Sequence, residues 1–408
     1  MRVRDCLEAS DLRCVWTSKP LSSTVRSVRI LVSTTAGLGH IHPVVPIARS
    51  LQSAGHEVLW ATSAKACETV SRYGFATTAA GIEIADRLEP FVARYPDVLS
   101  LPPRQRRPTF FRGFFAEIHA PAMAAALAPI MDRFKPELVV HETSEFAAAP
   151  LARQRGVRHI AVAFSGFQNP EVMAAGVCGI AALWDSLGLN VPPDLGFFDH
   201  AYLYPLPDSL CPRPQHANVQ PIRALHADGA EAWVAPSWLQ RLGNERPLVY
   251  ATFGTEIGPS APWTTLLEAV SAVDCDALVT INSQTDPESF GPIPANVRIE
   301  RYVPQSAVLA RAAAVVSHAG AGTAFATVAA GLPQVCVPFG ADQFDNADAL
   351  ASSGAALCVD GPDATPQLIA EALAKVFGDN SYRLSADRIA TDMAAMPHPD
   401  HVATLNTS

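Results

Sequence analysis

The chain has 408 residues, too long for a single small binding module and of a size for two or three domains. Hydrophobic residues make up 49% and charged ones 17%, enough apolar material to fill sizeable cores and unlike a disordered chain. Lys and Arg total 30 against 39 Asp and Glu, and the resulting charge of −9 argues against a basic stripe and a nucleic-acid partner. The eight cysteines are scattered with no C-x-x-C pair, which reads as reduced thiols of a cytoplasmic protein, neither a disulfide framework nor a zinc site.

Residues 1–27 carry basic side chains but no apolar core of the length a secretory signal needs, and they read as a disordered extension. The first strand is VRILVS (28–33), apolar on both faces as in a buried parallel sheet. A turn, TTAGLGHIH, leads into a helix in which Val44, Ile47, Ala48 and Leu51 recur at helical spacing, with Pro43 at its start and Gly55 past its end. EVLWAT (57–62) closes a βαβ unit. The same pattern returns in PELVVHE (136–142), EFAAAPLARQRG (145–156) and VRHIAVAF (157–164), after long loops rich in phenylalanine. From Pro192 to Pro221 the prolines multiply and the strand–helix alternation is lost, as at the end of a domain. It restarts at PLVYATFG (247–254), with strands expected near 277–281, 297–300, 313–317 and 334–337. The expected boundaries are a first Rossmann-like domain over 28–225, a linker over 226–246, a second Rossmann-like domain over 247–385 and a closing helix over 386–408. The ligand belongs in the cleft between the two domains.

Residues 312–341 contain no Asp, Glu, Lys or Arg, but Gly320, Gly322, Gly331, Pro333 and Pro338 interrupt any continuous membrane helix. Strand, turn, helix and strand account for the window better, so no transmembrane segment is expected.

Two turns carry chemistry. Gly37-Leu38-Gly39-His40-Ile41-His42 has histidine where a dinucleotide fingerprint requires its third glycine, which argues against nicotinamide or flavin. It offers instead an imidazole at the carboxyl end of the first strand, and Glu142 ends another strand on the same edge, placed to orient it as a general base. Capping of a loop by His40 and of a helix by Glu142 is the plainer reading of the same residues. The second turn, SHAGAGT (317–323), opens a helix whose N–H groups and dipole suit anionic oxygens, with His318 as an added donor. It has no P-loop lysine. Asp342-Gln343, after the next strand, is a pair able to hydrogen-bond a polyol. Asp274-Cys275-Asp276 precedes its strand and reads as a solvated turn, so no metal site is expected.

These residues carry a resemblance. YVPQSAVLARAAAVVSHAGAGTAFATVAAGLPQVCVPFGADQFDNADALASSG (302–354) resembles the donor-binding signature of the family 1 nucleotide-sugar glycosyltransferases, and GHIHP matches that family's G-H-x-x-P opening. MAAMPHPDHVATL resembles its closing helix. The resemblance implies an α/β GT-B fold, two Rossmann-like domains with parallel sheets facing across a cleft, and an inverting, metal-independent transferase. It assigns His40 as catalytic base and Glu142 as its support. On the donor side it assigns Thr255, Tyr302, Gln305, His318, Gly320, Ala321, Gly322, Thr323, Asp342 and Gln343. Ala319 departs from the family's glycine or cysteine. Ala326 replaces the glutamate that chelates both ribose hydroxyls of a uridine donor in many members, which favours a dTDP-deoxysugar over a UDP-sugar.

Phe110, Phe114, Phe164 and Trp184 are candidates for an apolar acceptor pocket, although each also suits core packing. Together with resemblance to antibiotic, macrolide and enediyne members, they point to a hydrophobic natural-product aglycone. The nucleotide sugar is a co-substrate and no resident cofactor is expected; a monomer and a homodimer both remain open. The competing readings are a sugar-nucleotide epimerase and a non-catalytic partner that activates another transferase.

Overall fold

β1 (Arg29–Ser33) is almost wholly buried because sheet neighbours flank it on both edges and apolar layers cover both faces. In the computed structural model, which describes residues 26–225, 233–254, 261–282 and 284–405, it is the third strand across a seven-stranded parallel sheet. The other strands are β2 (Glu57–Thr62), β3 (Ala76–Ala79), β4 (Leu138–Glu142), β5 (Arg158–Val162), β6 (Ala201–Tyr204) and β7 (Val219–Pro221), in the order β3-β2-β1-β4-β5-β6-β7. The second parallel sheet holds β8 (Leu248–Thr252), β9 (Asp276–Thr280), β10 (Val297–Glu300), β11 (Ala314–Ser317), β12 (Gln334–Cys336) and β13 (Ala356–Cys358), in the order β10-β9-β8-β11-β12-β13. The molecule is thus a pair of Rossmann-like α/β units, the GT-B architecture.

Each sheet reverses its winding once, between β1 and β4 in the first and between β8 and β11 in the second. Loops leaving the carboxyl ends of two such strands diverge to opposite faces and open a crevice. His40 follows β1, and Glu142 is the last residue of β4. The SHAGAGT turn follows β11. Both sequence motifs therefore sit at a switch point.

The proline-rich stretch is more regular than its sequence suggests. β6 and β7 lie inside it and add two parallel strands to the first sheet. They are only four and three residues long, and Pro221 is tolerated because it ends a strand at the sheet's edge. The uncharged window 312–341 contains β11, the helix Ala321–Ala329 and β12, rather than one long helix.

Residues Pro103–Phe134 form a helical run that changes pitch, with a π-helical segment at Phe110–His119 and an α-helix at Ala120–Phe134. Pro121 gives a local reason: in α geometry its ring collides with the carbonyl of Glu117, and the wider i→i+5 turn avoids that clash. This run is long and apolar enough to match a membrane span by length and composition, yet half of its most apolar window is buried in the fold. It packs on the helix Pro170–Ser186 as a core element.

The chain's end ties the two units together. Asp392 accepts a hydrogen bond from Ser209 at 2.5 Å, and Pro397 accepts one from the Arg223 backbone at 2.8 Å. Pro399–His401 then packs on the helix Val45–Ser53.

Candidate active site

The turn after β1 begins with Gly37 at φ 114°, a left-handed conformation that favours glycine, and winds into one helical turn, Leu38–Ile41. This presents the His40 ring with Nδ1 3.2 Å from Oε2 of Glu142, an ion-pair contact rather than a well-aligned hydrogen bond. Glu142 is wholly buried and is fixed by the backbone N–H groups of Thr35 (3.2 Å) and Ser144 (2.6 Å). Phe164 meets the imidazole edge-on at 5.0 Å between ring centroids, and Phe115 tilts against it at 5.7 Å. Burial disfavours the charged imidazole, but the Glu142 carboxylate and Asp342 together outweigh that effect, so the His40 pKa lies above its ordinary value. With a proton on Nδ1 facing the carboxylate, Nε2 keeps its lone pair as a base. His42 is engaged elsewhere: its Nε2 is 2.8 Å from the Tyr73 hydroxyl.

Sequence patterning did not single out several charged or polar neighbours. Glu145 is wholly buried, accepts the N–H groups of Ala147 (2.9 Å) and Ala148 (3.0 Å), and caps the start of the helix Ala148–Gln154. Burial, helped by the nearby Glu142, raises its pKa to about 7. Arg87 and His119 are also buried, and both influence His40 or Glu142 electrostatically. Neither belongs to a recognisable motif, because they come from two separate helices.

On the facing unit, Ser317 Oγ accepts the N–H of Ala319 (3.1 Å), and Ala319 takes φ 61°. That is the left-handed region, which favours glycine, one of the two residues the resemblance implies here. Gly320 is the N-cap of the helix Ala321–Ala329 and supplies no side-chain cap, so the first-turn N–H groups of Ala321, Gly322 and Thr323 have no intrahelical partners. His318 packs against Gly320 so closely that a Cβ there would stand 2.3 Å from its Nε2, which explains the glycine. His318 Nδ1 is buried without a hydrogen-bond partner. Burial lowers the His318 pKa to about 4, so at neutral pH the ring offers a neutral N–H. Gln305 donates from Nε2 to Thr323 Oγ1 (3.1 Å), which brings two predicted donor residues together. Tyr302 lies on the surface, 65% exposed. Asp342 accepts from Asn346 Nδ2 (3.0 Å) at the head of the helix Gln343–Ser352. Gln343 Oε1 accepts from the N–H groups of Phe339 (2.8 Å) and Gly340 (3.1 Å), so its oxygen braces the turn and its amide N–H groups are what it can offer a ligand. Thr255 lies outside the described residues.

The two sites face each other. Arg107, from the first unit, contacts Asp345 one turn beyond Asp342. Arg104 pairs with Asp348 (2.7 Å) and Asp360 (3.1 Å). Of the predicted aromatic wall, Phe164 touches His40, while Phe114 and Phe110 join it through Phe115 and one another. Trp184 departs from expectation. It is 1% exposed, packed in the core with Arg153 5.0 Å above its ring, because helix spacing in Pro170–Ser186 turns it inward.

With the geometry in place, comparison with known proteins is direct. The C-terminal domain of the erythromycin biosynthesis protein CIII-like family matches residues 264–407. L-demethylnoviosyl transferase of Streptomyces niveus is 31% identical over 384 residues, spanning 92% of this chain and 97% of the relative. The chain belongs to the family 1 nucleotide-sugar glycosyltransferases. Aklavinone 7-beta-L-rhodosaminyltransferase of Streptomyces galilaeus is 25% identical over 93% of this chain and 95% of its own. Among solved structures, glycosyltransferase SsfS6 of Streptomyces sp. SF2575 with thymidine diphosphate aligns at a TM-score of 0.74 and 26% identity, covering 93% of this chain and 99% of that one. In this glycosyltransferase, then, the switch-point crevices of the two units hold the matched motifs.

Proposed function

We propose that this glycosyltransferase moves a deoxysugar from a dTDP donor to a hydroxyl of a hydrophobic natural-product aglycone, with inversion at the anomeric carbon. The observation that carries this reading is His40, set against a buried, backbone-held carboxylate and facing the SHAGAGT helix start across the cleft. His40 takes the proton of the acceptor hydroxyl as that oxygen attacks the anomeric carbon from the side opposite the diphosphate. The C–O bond to the diphosphate breaks in the same displacement. The leaving group's growing charge falls on the first-turn N–H groups at Ala321–Thr323 and on His318. Asp342 and the Gln343 amide are set to hold sugar hydroxyls, and Glu142 keeps the base oriented. The diphosphate can be met by backbone N–H groups without a metal, and the described residues contain no cluster of three metal-ligating side chains.

The donor preference rests on Ala326. It is 4% exposed in the core cluster that also holds Leu248, Tyr250, Val303 and Val308, and its methyl group offers a ribose 2′-hydroxyl no acceptor. SsfS6 and VinC have been solved with thymidine diphosphate, and the relative DnrS of Streptomyces peucetius is a TDP-daunosamine transferase. Calorimetric titration is expected to give tighter binding of dTDP than of UDP; tighter UDP binding reverses the assignment. His40→Ala is expected to lower kcat by a factor of about 10² to 10⁴ with dTDP affinity nearly unchanged. Wild-type turnover in that variant would remove His40 as the base. Nucleotide release that requires an added acceptor separates transfer from epimerisation.

A further inference from the structure

Arg87 is wholly buried in the first turn of the helix Ile84–Arg94. Its Nε and Nη2 donate to the carbonyl of Ile82 (3.3 and 2.9 Å), but Nη1 has no partner, and no carboxylate among the described residues lies within 4.0 Å. His119, 1% exposed at the end of the π-helix, has neither ring nitrogen hydrogen-bonded. Buried polar groups are ordinarily paired, and a guanidinium nitrogen left without a partner is costly even where, as here, Glu142 and Glu83 favour the charge from farther away.

Both sit over the carboxyl edge of the first sheet. The loop after β3 closes on His119 so tightly that a Cβ at Gly81 would lie 2.7 Å from its Cε1. The wide π turn brings residues four and five apart onto a common face, so Phe114, Phe115 and His119 line one side of the segment. Arg87 stands 5.4 Å from the Phe114 ring, Phe114 5.3 Å from Phe115, and Phe115 5.7 Å from His40. A continuous line of aromatic rings runs from the unpaired guanidinium to the imidazole at the reaction centre.

We propose that Arg87 and His119 form the polar end of the acceptor pocket and receive an acidic oxygen of a planar, fused-ring aglycone, at the far end from the hydroxyl that is glycosylated. This rests on the assignment of His40 as the base beside the acceptor. The ligand chemistry is an oxyanion on a flat ring system: a carboxylate, a phenolate or an enolate. Arg87 supplies charge, His119 a neutral N–H, and the phenylalanine rings stack on the ring system between them. A neutral macrolide presents no group for this end of the pocket.

The test uses the full-length enzyme saturated with dTDP, titrated with 6-hydroxy-2-naphthoate and with its methyl ester. The carboxylate is expected to bind about tenfold more tightly, the effect of one charge-assisted hydrogen bond. Arg87→Met is expected to abolish the preference and Arg87→Lys to retain part of it. In turnover with a dTDP-sugar, Arg87→Met raises KM for the naphthoate with little change in kcat. Equal affinities for acid and ester, no binding of either, or a preference that survives in Arg87→Met overturns the proposal. The glycosyltransferase reading fails separately, through loss of dTDP binding or of transfer to neutral phenols.

Discussion

At the scale of single residues, the His40–Glu142 contact has a consequence for pH. A base whose pKa lies above 6.5 is protonated and inactive at mildly acid pH, so kcat/KM is expected to rise with pH through an ionisation above that value. Thr35 and Ser144 donate to different oxygens of Glu142, so Glu142→Gln keeps an acceptor for only one of them, and it removes the charge that favours the imidazolium. The acid limb should then move to lower pH while the plateau rate falls about 10- to 100-fold, as when the partner that orients a histidine is removed. A limb that stays in place in Glu142→Gln would exclude this carboxylate as the cause. His40 was legible because it stands in a recognisable turn. Arg87 and His119 were not, because their significance lies in what fails to surround them.

At the scale of elements, the short helix Ala148–Gln154 is capped by a carboxylate that burial pushes toward protonation. Between the ordinary carboxyl value of 4.5 and about 7, folded Glu145 binds its proton more firmly than the unfolded chain does. Stability from this group is therefore full at the acid end of that range and declines as pH rises through it. Glu145→Gln is expected to raise the melting temperature at pH 8 relative to wild type by more than it does at pH 5. An identical shift at both pH values would remove Glu145 titration as the source. The sequence marked the inner strands of both sheets because fully buried strands read as β-branched runs. It missed β3 and β13 at the sheet edges and β6 and β7, all of three or four residues and too short for a periodic signal, and the prolines near β6 and β7 resemble a linker. It read the phenylalanine-rich stretch as loop, whereas Phe110–His119 is a π-helix that runs into the α-helix Ala120–Phe134, the change of pitch reflecting Pro121.

For the whole molecule, the two units are held by Arg104 and Arg107 on one side and by the closing segment 392–401 on the other. The Arg104 pairs are half exposed, so losing them changes folding stability by less than about 1 kcal/mol. Their effect belongs to the relative position of the units. Arg104→Ala is expected to melt within a few degrees of wild type, about the shift such a loss allows, but to show a larger radius of gyration by X-ray scattering. An unchanged radius would mean that Arg107 and the closing segment set the cleft.

The sequence by itself determined the two Rossmann-like units, the two glycine turns and the family, since these follow from local hydrophobic period, turn chemistry and contiguous motifs. Tertiary structure alone decided that β1 and β4 are neighbours, so that His40 meets a carboxylate 102 positions away. It also buried Trp184 in the core and brought Arg87 to the aromatic line that ends at the base. The reason is physical: spacing along a chain fixes which face a side chain takes on its own element, whereas its partners depend on which elements pack together.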